Sequence, residues 1–288
     1  MNLEMLSMID LSNASPGSFH IECCDGSQGL LSLPDKSVKL IYGSPPYPNA
    51  SRNYGNWDSK QYIDFISPFI TNAIPKLTDD GFIAINVKAN RDKNGNGSTT
   101  RSLVVEKLAI MMQEDWGLSC VDIEIWVKTN PVPTGLRVAC QDSYEQILWF
   151  SKSPTWSIDI DSIRRPYSET TSKIYSRYEY KPRSNGLTYV RKNKKIIPND
   201  LGALPQNVII GSTSCNRSRH QAVQPRYLSN KYILATTSEK DVVVDPWMGS
   251  GTTGLECCSL NRTFIGFDIN PDCFDIAATN LRRDFVEF

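Results

Sequence analysis

The tetrapeptide Ser44-Pro45-Pro46-Tyr47 follows the apolar run 38–43 and combines residue types that could hold a planar amine. The two prolines have a fixed φ and no N–H, so they keep the neighbouring carbonyl groups in set directions. The Ser44 hydroxyl and the Pro45 carbonyl can each accept a hydrogen bond from an amino group. Tyr47 offers an aromatic face beside them. The stretch therefore predicts the edge of a pocket for a planar ring that carries an amino group.

A second stretch, 242–254 (VVVDPWMGSGTTG), has the order of a buried strand, a glycine turn and a helix start. Gly249 and Gly251 let the backbone approach a ligand closely, and the N–H groups of the helix start can bind a carboxylate or a phosphate. Asp268 ends the next apolar run, where an acidic side chain can accept the hydroxyls of a ribose. Asp245 would repel a pyrophosphate but suits a cationic amino-acid ligand, which favours S-adenosylmethionine.

The same glycines also match the spacing G-x-G-x-x-G, which alone is a weak pattern. A tight strand-to-helix turn without a ligand and a dinucleotide site are the two other interpretations of this stretch. A nicotinamide-dependent oxidoreductase therefore stays open as an alternative.

Short apolar runs alternate with helical patterns along the chain, which indicates an α/β protein. Strands are predicted at 19–23, 38–43, 82–87, 121–127, 144–150, 242–245 and 263–268, and helices at 60–77, 103–114, 225–236, 252–259 and 271–283. No helix is predicted between 121–127 and 144–150, so these strands should form an antiparallel pair at one edge of the sheet. The polar stretch 90–100 is predicted to be a mobile loop at a strand end.

The chain has 288 residues with 31 basic and 31 acidic side chains, so its net charge does not point to an anionic partner. None of the eight cysteines belongs to a C-x-x-C pair, and we interpret them as buried free thiols in a reducing compartment rather than metal ligands. The sequence has no signal-peptide pattern and no apolar run long enough to span a membrane. We expect a soluble cytoplasmic protein without a metal site.

The two motifs resemble those of the β-group of DNA amino-methyltransferases, in which a catalytic motif of the SPPY type precedes a cofactor motif of the DPWMGSGTT type. SPPY is most typical of the N4-cytosine members, whereas adenine enzymes more often have DPPY or NPPY. Other segments similar to the family's are 24–26, 33–38, 126–133, 142–145 and 220–225. Gln221, Gln224 and Trp247 replace residues that are more usual in the family. The resemblance covers most of the chain except 151–215.

The resemblance implies a Rossmann-like S-adenosylmethionine-dependent methyltransferase fold, circularly permuted, with a mixed seven-stranded sheet and helices on both faces. It divides the chain into a catalytic half at 1–150, a small target-recognition insert at 151–215 and a cofactor-binding half at 216–288. In this permuted order, the strand that ends at Asp245 should lie beside the strand that precedes Ser44. That pair is the topological switch point, where open α/β sheets bind their ligands.

By the same resemblance, the target base is held by Ser44, Pro45, Pro46 and Tyr47. The implied cofactor-binding residues are Asp25, Asp245, Pro246, Trp247, Gly249, Ser250, Gly251, Thr252, Asp268, Asn270 and His220. The implied reaction is direct transfer of a methyl group to the amine of a base that has been flipped out of double-stranded DNA. The absence of a Pro-Cys motif fits this, because methylation at the ring carbon would need a cysteine nucleophile. Lys128 and Asn130 either line the target pocket or have a structural role.

The region 161–200 has ten Lys and Arg against four Asp and Glu, with five tyrosines between them. Basic residues interleaved with aromatic ones suit phosphate contacts and base stacking, and a solvated charged face is the alternative. The predicted DNA-binding residues are Arg164, Arg165, Arg177, Lys181, Arg183, Arg191, Lys192 and Lys194.

The interpretation that combines these features is a site-specific N4-cytosine DNA methyltransferase of a restriction-modification system. An adenine-N6 methyltransferase is the nearest alternative, since a serine can accept from either amine. A DNA-binding protein without catalysis is a further one. The sequence leaves open the recognition site, an accompanying nuclease, and whether the chain acts as a monomer or a homodimer.

Overall fold

The computed structural model describes residues 8–48, 57–59, 61–89, 91–93, 99–131, 140–177, 199–213 and 223–288. The chain forms two compact units. The large unit comprises Met1–Ile158 and Asn207–Phe288, and the small unit is Asp159–Gln206. Predictions that fall on 178–198 or 214–222 lie outside the described residues.

The strands are β1 (Phe19–Glu22), β2 (Val38–Gly43), β3 (Leu77–Val87), β4 (Arg91–Lys93), β5 (Thr99–Arg101), β6 (Ser119–Lys128), β7 (Tyr144–Ser151), β8 (Val208–Gly211), β9 (Val242–Asp245) and β10 (Thr263–Phe267). The α-helices are α1 (Gly26–Gly29), α2 (Gln61–Lys76), α3 (Val104–Glu114), α4 (Glu169–Arg177), α5 (Arg226–Thr236), α6 (Thr252–Ser259) and α7 (Pro271–Arg282). Short 3-10 helices occur at Leu11–Asn13, Leu30–Ser32 and Asp161–Ile163.

The main sheet has eight strands in the order β1-β10-β9-β2-β3-β7-β6-β8. Strand β7 pairs antiparallel with both neighbours, and every other pair in this sheet is parallel. The C-terminal strands β9 and β10 therefore lie between β1 and β2, which come from the start of the chain. This is the permuted order that the sequence predicts, and the α/β fold class with a mixed sheet is confirmed.

Both faces of the sheet are covered by helices. On one face, Ile41, Ile83 and Val244 belong to a buried cluster with side chains of α2 and α3. On the other face, Tyr42 stacks on Tyr232 of α5 at 5.4 Å between ring centroids. Burial on both faces explains why the central strands are almost continuously apolar, as is usual in parallel sheets.

The sheet has one strand more than the seven expected. Strand β8 pairs in parallel with β6 at the edge of the sheet, and it lies inside the range 151–215 that was predicted as the insert. Its four residues alternate between exposed and half-buried positions, so they give only a weak strand pattern. The pairing brings Val208 beside Ile125, which is far from it along the chain.

Most predicted element bounds agree with the structure to within one or two residues. Strand β3 is an exception, because it begins at Leu77 rather than at 82. The described part of the stretch 90–100, which was predicted to be a loop, belongs to strands, since β4 and β5 pair antiparallel with Arg91 opposite Arg101. Backbone pairing between β4 and β5 does not depend on an apolar pattern. Two paired strands of polar sequence are therefore not recognised from the sequence.

The seven described cysteines form no disulfide bonds with one another, but among them the expectation of burial holds only for Cys257 and Cys258. Cys23 and Cys140 are exposed. Cys23 directly follows β1, at an edge of the sheet where the chain leaves the core. Over the described ranges, none of the helices combines the length and the apolar character needed to cross a membrane.

The small unit contains α4 and the bridge that pairs Arg165 with Ala203. A hydrogen bond from the Asn199 N–H to the Tyr167 hydroxyl, at 3.0 Å, joins its two chain segments. Arg164 donates to the Gly202 carbonyl at 2.8 Å.

Candidate active site at the carboxyl edge of the sheet

Six strands bring polar side chains to the same edge of the sheet. The parallel strands β2, β3, β6, β9 and β10 all end there, and the antiparallel strand β7 begins there. Two groups of residues result. We call the residues around β9, β10 and α1 the donor side (Asp25, Asp245, Gly249 and Asp268), and those around β2, β3, β6 and β7 the target side (Ser44, Tyr47, Asn86, Lys128 and Glu145).

Strands β9 and β2 are neighbours, with Val243 opposite Leu40 and Val244 opposite Ile41. The chain turns away from this pair in opposite directions, because β10 lies beyond β9 and β3 lies beyond β2. The predicted switch point between the ends of these two strands is therefore confirmed. It is the place where an open α/β sheet leaves a crevice for ligands.

The two sides come closest at Gly43. A Cβ atom on Gly43 would lie 2.5 Å from Asp245 Oδ1 and 3.0 Å from Cε3 of the Trp247 ring. Only glycine fits this position without displacing the carboxylate. The residue before Ser44 is thus in contact with the residue that begins the donor side.

Asp245 is only 3% exposed. Its Oδ2 accepts a hydrogen bond from the Thr253 hydroxyl at 2.6 Å, and its Oδ1 accepts one from the Trp247 N–H at 3.0 Å. Burial raises the pKa of Asp245 to about 7, although the two hydrogen bonds act in the opposite direction. A carboxylate that costs this much to ionise would be stabilised by a cation placed beside it.

The glycine turn after β9 has the left-handed backbone that its sequence predicts. Gly249 has φ +54° and Gly251 has φ +79°, both of which favour glycine. The turn is tied to the end of β10, because the Gly249 N–H donates to Asp268 Oδ2 at 2.9 Å. The Gly251 N–H donates to the Met248 carbonyl at 2.9 Å. These two N–H groups are therefore used inside the protein.

Asp25 and Asn270 also act as helix caps. Asp25 Oδ1 accepts from the Ser27 N–H at 2.8 Å at the start of α1, and Asn270 Oδ1 accepts from the Asp272 N–H at 2.9 Å at the start of α7. The segment after Asp25 lies against the donor loop, since a Cβ on Gly26 would be 2.1 Å from the Pro246 carbonyl oxygen. Both residues follow strands that end at the carboxyl edge of the sheet, as the sequence predicts. Their capping contacts alone would account for an Asp and an Asn at these positions.

Three further predicted cofactor residues, Trp247, Ser250 and Thr252, lie between the end of β9 and the start of α6. Trp247 is half-buried and packs against Phe69 of α2, with 4.8 Å between ring centroids. The Ser250 hydroxyl lies 3.3 Å from the Thr252 hydroxyl at the start of α6. His220 lies outside the described residues, so its predicted role stays a prediction.

On the target side, Glu145 is the centre of a buried polar network. It is 3% exposed, and its Oε2 accepts from the Tyr47 hydroxyl at 2.7 Å and from Asn86 Nδ2 at 2.7 Å. Its Oε1 accepts from Lys128 Nζ. Lys128 in turn lies over the Trp126 ring, 4.9 Å from its centroid. The sequence left a pocket-lining role and a structural role open for Lys128. The ion pair with Glu145 gives it a structural contact at the site.

Ser44 and Tyr47 of the predicted amine clamp belong to this network. Ser44 Oγ lies 3.1 Å from the Tyr47 hydroxyl and 3.2 Å from the carbonyl oxygen of Asn86. Pro45 is buried, while Ser44, Pro46 and Tyr47 are half-buried. Burial raises the pKa of the Tyr47 hydroxyl well above its ordinary value, and the Glu145 carboxylate raises it further. Tyr47 is therefore a neutral hydrogen-bond donor.

Asn86 was missed by the sequence reasoning. Its Nδ2 binds Glu145, and its Oδ1 is a buried acceptor without a hydrogen-bond partner among the described residues. The available signal was one polar residue near the end of the apolar run 82–87. Glu145 had a similar signal, as a carboxylate at the start of the apolar strand β7. Asn130 has a structural contact, because its Oδ1 accepts from the Thr213 N–H at 2.8 Å.

In the small unit, the two predicted DNA-binding arginines with described side chains make internal contacts. Arg164 Nε donates to Asp161 Oδ1 at 2.5 Å, and Arg165 Nε donates to the Leu204 carbonyl at 3.2 Å. The side chain of Arg177 and the residues Lys181, Arg183, Arg191, Lys192 and Lys194 lie outside the described part. Within the described residues, no group of three or more His, Cys, Asp or Glu side chains is placed to hold a metal ion.

Comparison with known proteins agrees with this geometry. Residues 38–279 match the model of the DNA methylase family. Type II methyltransferase M.PvuII from Proteus hauseri is 26% identical over 94% of this chain and 88% of its own length. Type II methyltransferase M.HpaI from Haemophilus parainfluenzae is 27% identical over 92% of this chain and 75% of its own length.

Two solved structures show the same fold. The structure titled PvuII DNA methyltransferase (cytosine-N4-specific) has a TM-score of 0.67 at 20% identity, over 96% of this chain and 98% of its own. The M1.HpyAVI–SAM complex has a TM-score of 0.54 at 23% identity, over 91% of this chain and 99% of its own.

Proposed function

The chain belongs to the DNA methylase family, and from this we propose that it transfers the methyl group of S-adenosylmethionine to the exocyclic N4 amine of a flipped cytosine in double-stranded DNA. The observation that carries the proposal is the contact between the two sides of the site. A buried carboxylate suited to a cation, Asp245, lies against the residue that precedes the amine acceptor Ser44. Methyl donor and target amine can therefore meet at the switch point.

The donor side fits S-adenosylmethionine better than a dinucleotide. Its carboxylates, Asp245 and Asp268, would attract the ammonium and sulfonium charges and would repel a pyrophosphate. The N–H of Gly249, which a pyrophosphate would need, already donates to Asp268. This contact disfavours the nicotinamide-dependent alternative. The remaining acceptor capacity of Asp268 would serve the ribose hydroxyls.

When bound, S-adenosylmethionine supplies an electrophilic methyl group on a sulfonium. The residues of this chain would hold and orient the amine. This is needed because the lone pair of an exocyclic amine is delocalised into its ring. The Ser44 hydroxyl and the Pro45 carbonyl would each accept one N–H, which turns the lone pair out of conjugation. The Tyr47 ring would stack on the flipped base.

The choice of cytosine rests on the SPPY motif and on the relatives. The PvuII enzyme, which has the same fold over nearly its whole length, is titled cytosine-N4-specific. Relatives named Type II methyltransferases support a restriction-modification setting. We assign contacts with the target sequence to the small unit and place the protein in the cytoplasm, where its substrate DNA is found. The chain acts either as a monomer or as a homodimer, and sedimentation distinguishes the two states.

The test is methyl transfer from tritiated S-adenosylmethionine to DNA, followed by mass spectrometry of the nucleosides. We expect label in N4-methylcytosine, and single-molecule sequencing of DNA from an expressing host would then give the recognition site. Label in N6-methyladenine would overturn the choice of base. Absence of transfer, with nicotinamide cofactor binding instead, would overturn the reaction. Sedimentation with and without DNA would distinguish a monomer from a homodimer.

A further inference from the structure

We propose that Glu145 is a positioning residue that sets the direction of the hydrogen bonds through Tyr47 and Ser44, so that the lone pairs of Ser44 Oγ stay free to accept from the target base. This inference rests on the proposed function of Ser44 as the amine acceptor. It goes beyond that function because it assigns the acceptor character of Ser44 to a residue 98 positions away from Tyr47 along the chain.

The first step concerns the Tyr47 proton. A carboxylate only accepts hydrogen bonds, so at the 2.7 Å contact with Glu145 Oε2 the Tyr47 hydroxyl must be the donor. The carboxylate cannot turn to release it. Lys128 holds its Oε1, and Asn86 Nδ2 holds its Oε2 from a second direction. Glu145 is therefore fixed as the end of the chain of hydrogen bonds.

The second step concerns the Ser44 proton. Because the Tyr47 proton is directed to Glu145, the Tyr47 oxygen is an acceptor, both for Asn86 Nδ2 at 3.3 Å and for the Ser44 hydroxyl across 3.1 Å. The other neighbour of Ser44 Oγ is the Asn86 carbonyl oxygen at 3.2 Å, which also only accepts. In both arrangements the single proton of Ser44 stays inside the protein. The lone pairs of Ser44 Oγ are left for an incoming N–H.

The consequence is selectivity for an amine. Cytosine presents an N4 amine that can donate to Ser44, whereas uracil has a carbonyl oxygen at the same ring position and would meet a second acceptor. Two facing acceptors leave the buried one without a partner, which is costly. The network would thus favour the base that can be methylated and disfavour its deaminated form.

Glu145→Gln tests this direction, since it keeps the shape and replaces one acceptor oxygen by a donor. If the amide oxygen faces Lys128, the amide nitrogen faces Tyr47 and donates to it. The Tyr47 proton is then turned towards Ser44, where it occupies a lone pair that would otherwise accept from the base, while the Ser44 proton stays on the Asn86 carbonyl oxygen. We expect kcat to fall about 10- to 100-fold, with S-adenosylmethionine affinity within about 2-fold of the wild type.

A double-mutant cycle with Tyr47→Phe separates positioning from a general structural effect. The phenylalanine keeps the ring but removes the hydroxyl through which Glu145 would act. We expect Glu145→Gln to have little further effect on kcat in the Tyr47→Phe background, because the link is already broken. Equal losses of kcat in both backgrounds, or no loss in the single variant, would overturn the inference.

A second measurement follows the base directly. Duplexes with cytosine or with uracil at the target position are compared by their dissociation constants. Wild-type protein should prefer cytosine, and Glu145→Gln should reduce that ratio. An unchanged ratio would contradict the inference. If Glu145→Gln alone does not fold, the pair Glu145→Gln with Lys128→Met removes the ammonium left without a carboxylate, and the same measurements apply.

Failure of this inference differs from failure of the proposed function. If Ser44→Ala transfers methyl groups as fast as the wild type, the role of Ser44 is wrong and so is the proposed clamp. If Ser44→Ala is inactive but the two effects in the cycle are additive, only the role of Glu145 is wrong.

Discussion

On the donor side, carboxylates bind partners close along the chain, whereas on the target side the central carboxylate binds partners from other strands. The carboxylates of Asp25, Asp245 and Asp268 accept hydrogen bonds from residues 2 to 19 positions away. The carboxylate of Glu145 accepts them from residues 17 to 98 positions away. Apart from Asp25, the donor side lies within the segment 245–268, but the target side exists only when β2, β3, β6 and β7 are assembled.

The difference predicts how substitutions act. Changes on the donor side should alter affinity for the cofactor, and changes on the target side should alter the rate of transfer while affinity is kept. Gly43 lies where the two sides meet, because a Cβ atom placed on it would lie 2.5 Å from Asp245 Oδ1.

Ser44→Ala should lower kcat by about 100-fold or more, because it removes an acceptor that binds the amine in the transition state. The affinity for S-adenosylmethionine, measured by calorimetry, should stay within about 2-fold, since the two described hydrogen-bond partners of Ser44 Oγ both belong to the target side. The matched change on the donor side is Ser250→Ala, which should act mainly through cofactor binding. Equal loss of rate and affinity in Ser44→Ala would show that the two sides are not separate.

Asp268→Ala should weaken S-adenosylmethionine binding by about 1.5–3 kcal/mol, or about 10- to 100-fold in Kd, because hydrogen bonds to a charged group are lost. The variant also frees the N–H of Gly249 and that of Asn270. Asn270→Ala serves as the control, since it removes the cap of α7 and leaves the Asp268 carboxylate in place. Unchanged affinity in Asp268→Ala would mean that the ribose partner is assigned wrongly.

The affinity for S-adenosylmethionine should depend on pH through Asp245. Its folded pKa is about 7, so the carboxylate that attracts the cation is lost as pH falls through 7. Below that pH, Kd should rise by up to about tenfold per unit. Asp245→Asn should bind weakly at every pH. A wild-type Kd that is constant from pH 6 to pH 8 would contradict the assignment.

The same group predicts an opposite effect on the free protein. Asp245 has a pKa of 3.8 when unfolded and about 7 when folded, so the folded state binds more protons between these values. The free energy of unfolding should therefore fall as pH rises through this window. Denaturant titrations of the wild type and Asp245→Asn at pH 5 and pH 8 would measure the difference, which should be smaller in the variant.

The smallest expected effect is that of Gly249→Ala. Its φ of +54° would cost alanine about 1–2 kcal/mol, although a Cβ there would meet nothing closer than 3.9 Å. Gly117→Ala is the control, because Gly117 has φ +68° and open space around a Cβ. Both variants should lower Tm similarly, but only Gly249→Ala should weaken cofactor binding. If both variants bind S-adenosylmethionine with the same affinity, the turn is not part of the cofactor site.

The donor side could largely be predicted from the sequence, because Asp245, Gly249 and Asp268 lie in one window and its turn needs glycine for conformational reasons. Gly249 and Gly251 have the positive φ values that their residue type indicates. The target side was predicted only in part. Ser44 and Tyr47 stand in a recognisable motif, but Asn86 and Glu145 are single polar residues in apolar strands. No local pattern tells which of several such residues share a network.

Some features of the fold were hidden for a related reason. Strand β8 and the pair β4–β5 are held by backbone pairing with partners whose positions depend on the rest of the sheet. Their own sequences do not alternate strongly between apolar and polar residues. The capping roles of Asp25 and Asn270 were also missed, since a carboxylate or amide at a strand end suits both a helix cap and a ligand.

By itself, the sequence determined the class of fold, the permuted order of its halves and the glycine turn, and it predicted the amine clamp. These follow from local periodicity, from fixed backbone angles at proline and glycine, and from motifs within a few residues. Only the tertiary structure decided that Asp245 lies against Gly43 and that Glu145 holds Tyr47. The physical reason is that strand pairing sets which ends are neighbours, and burial between them sets the hydrogen-bond directions and the pKa of the groups enclosed there.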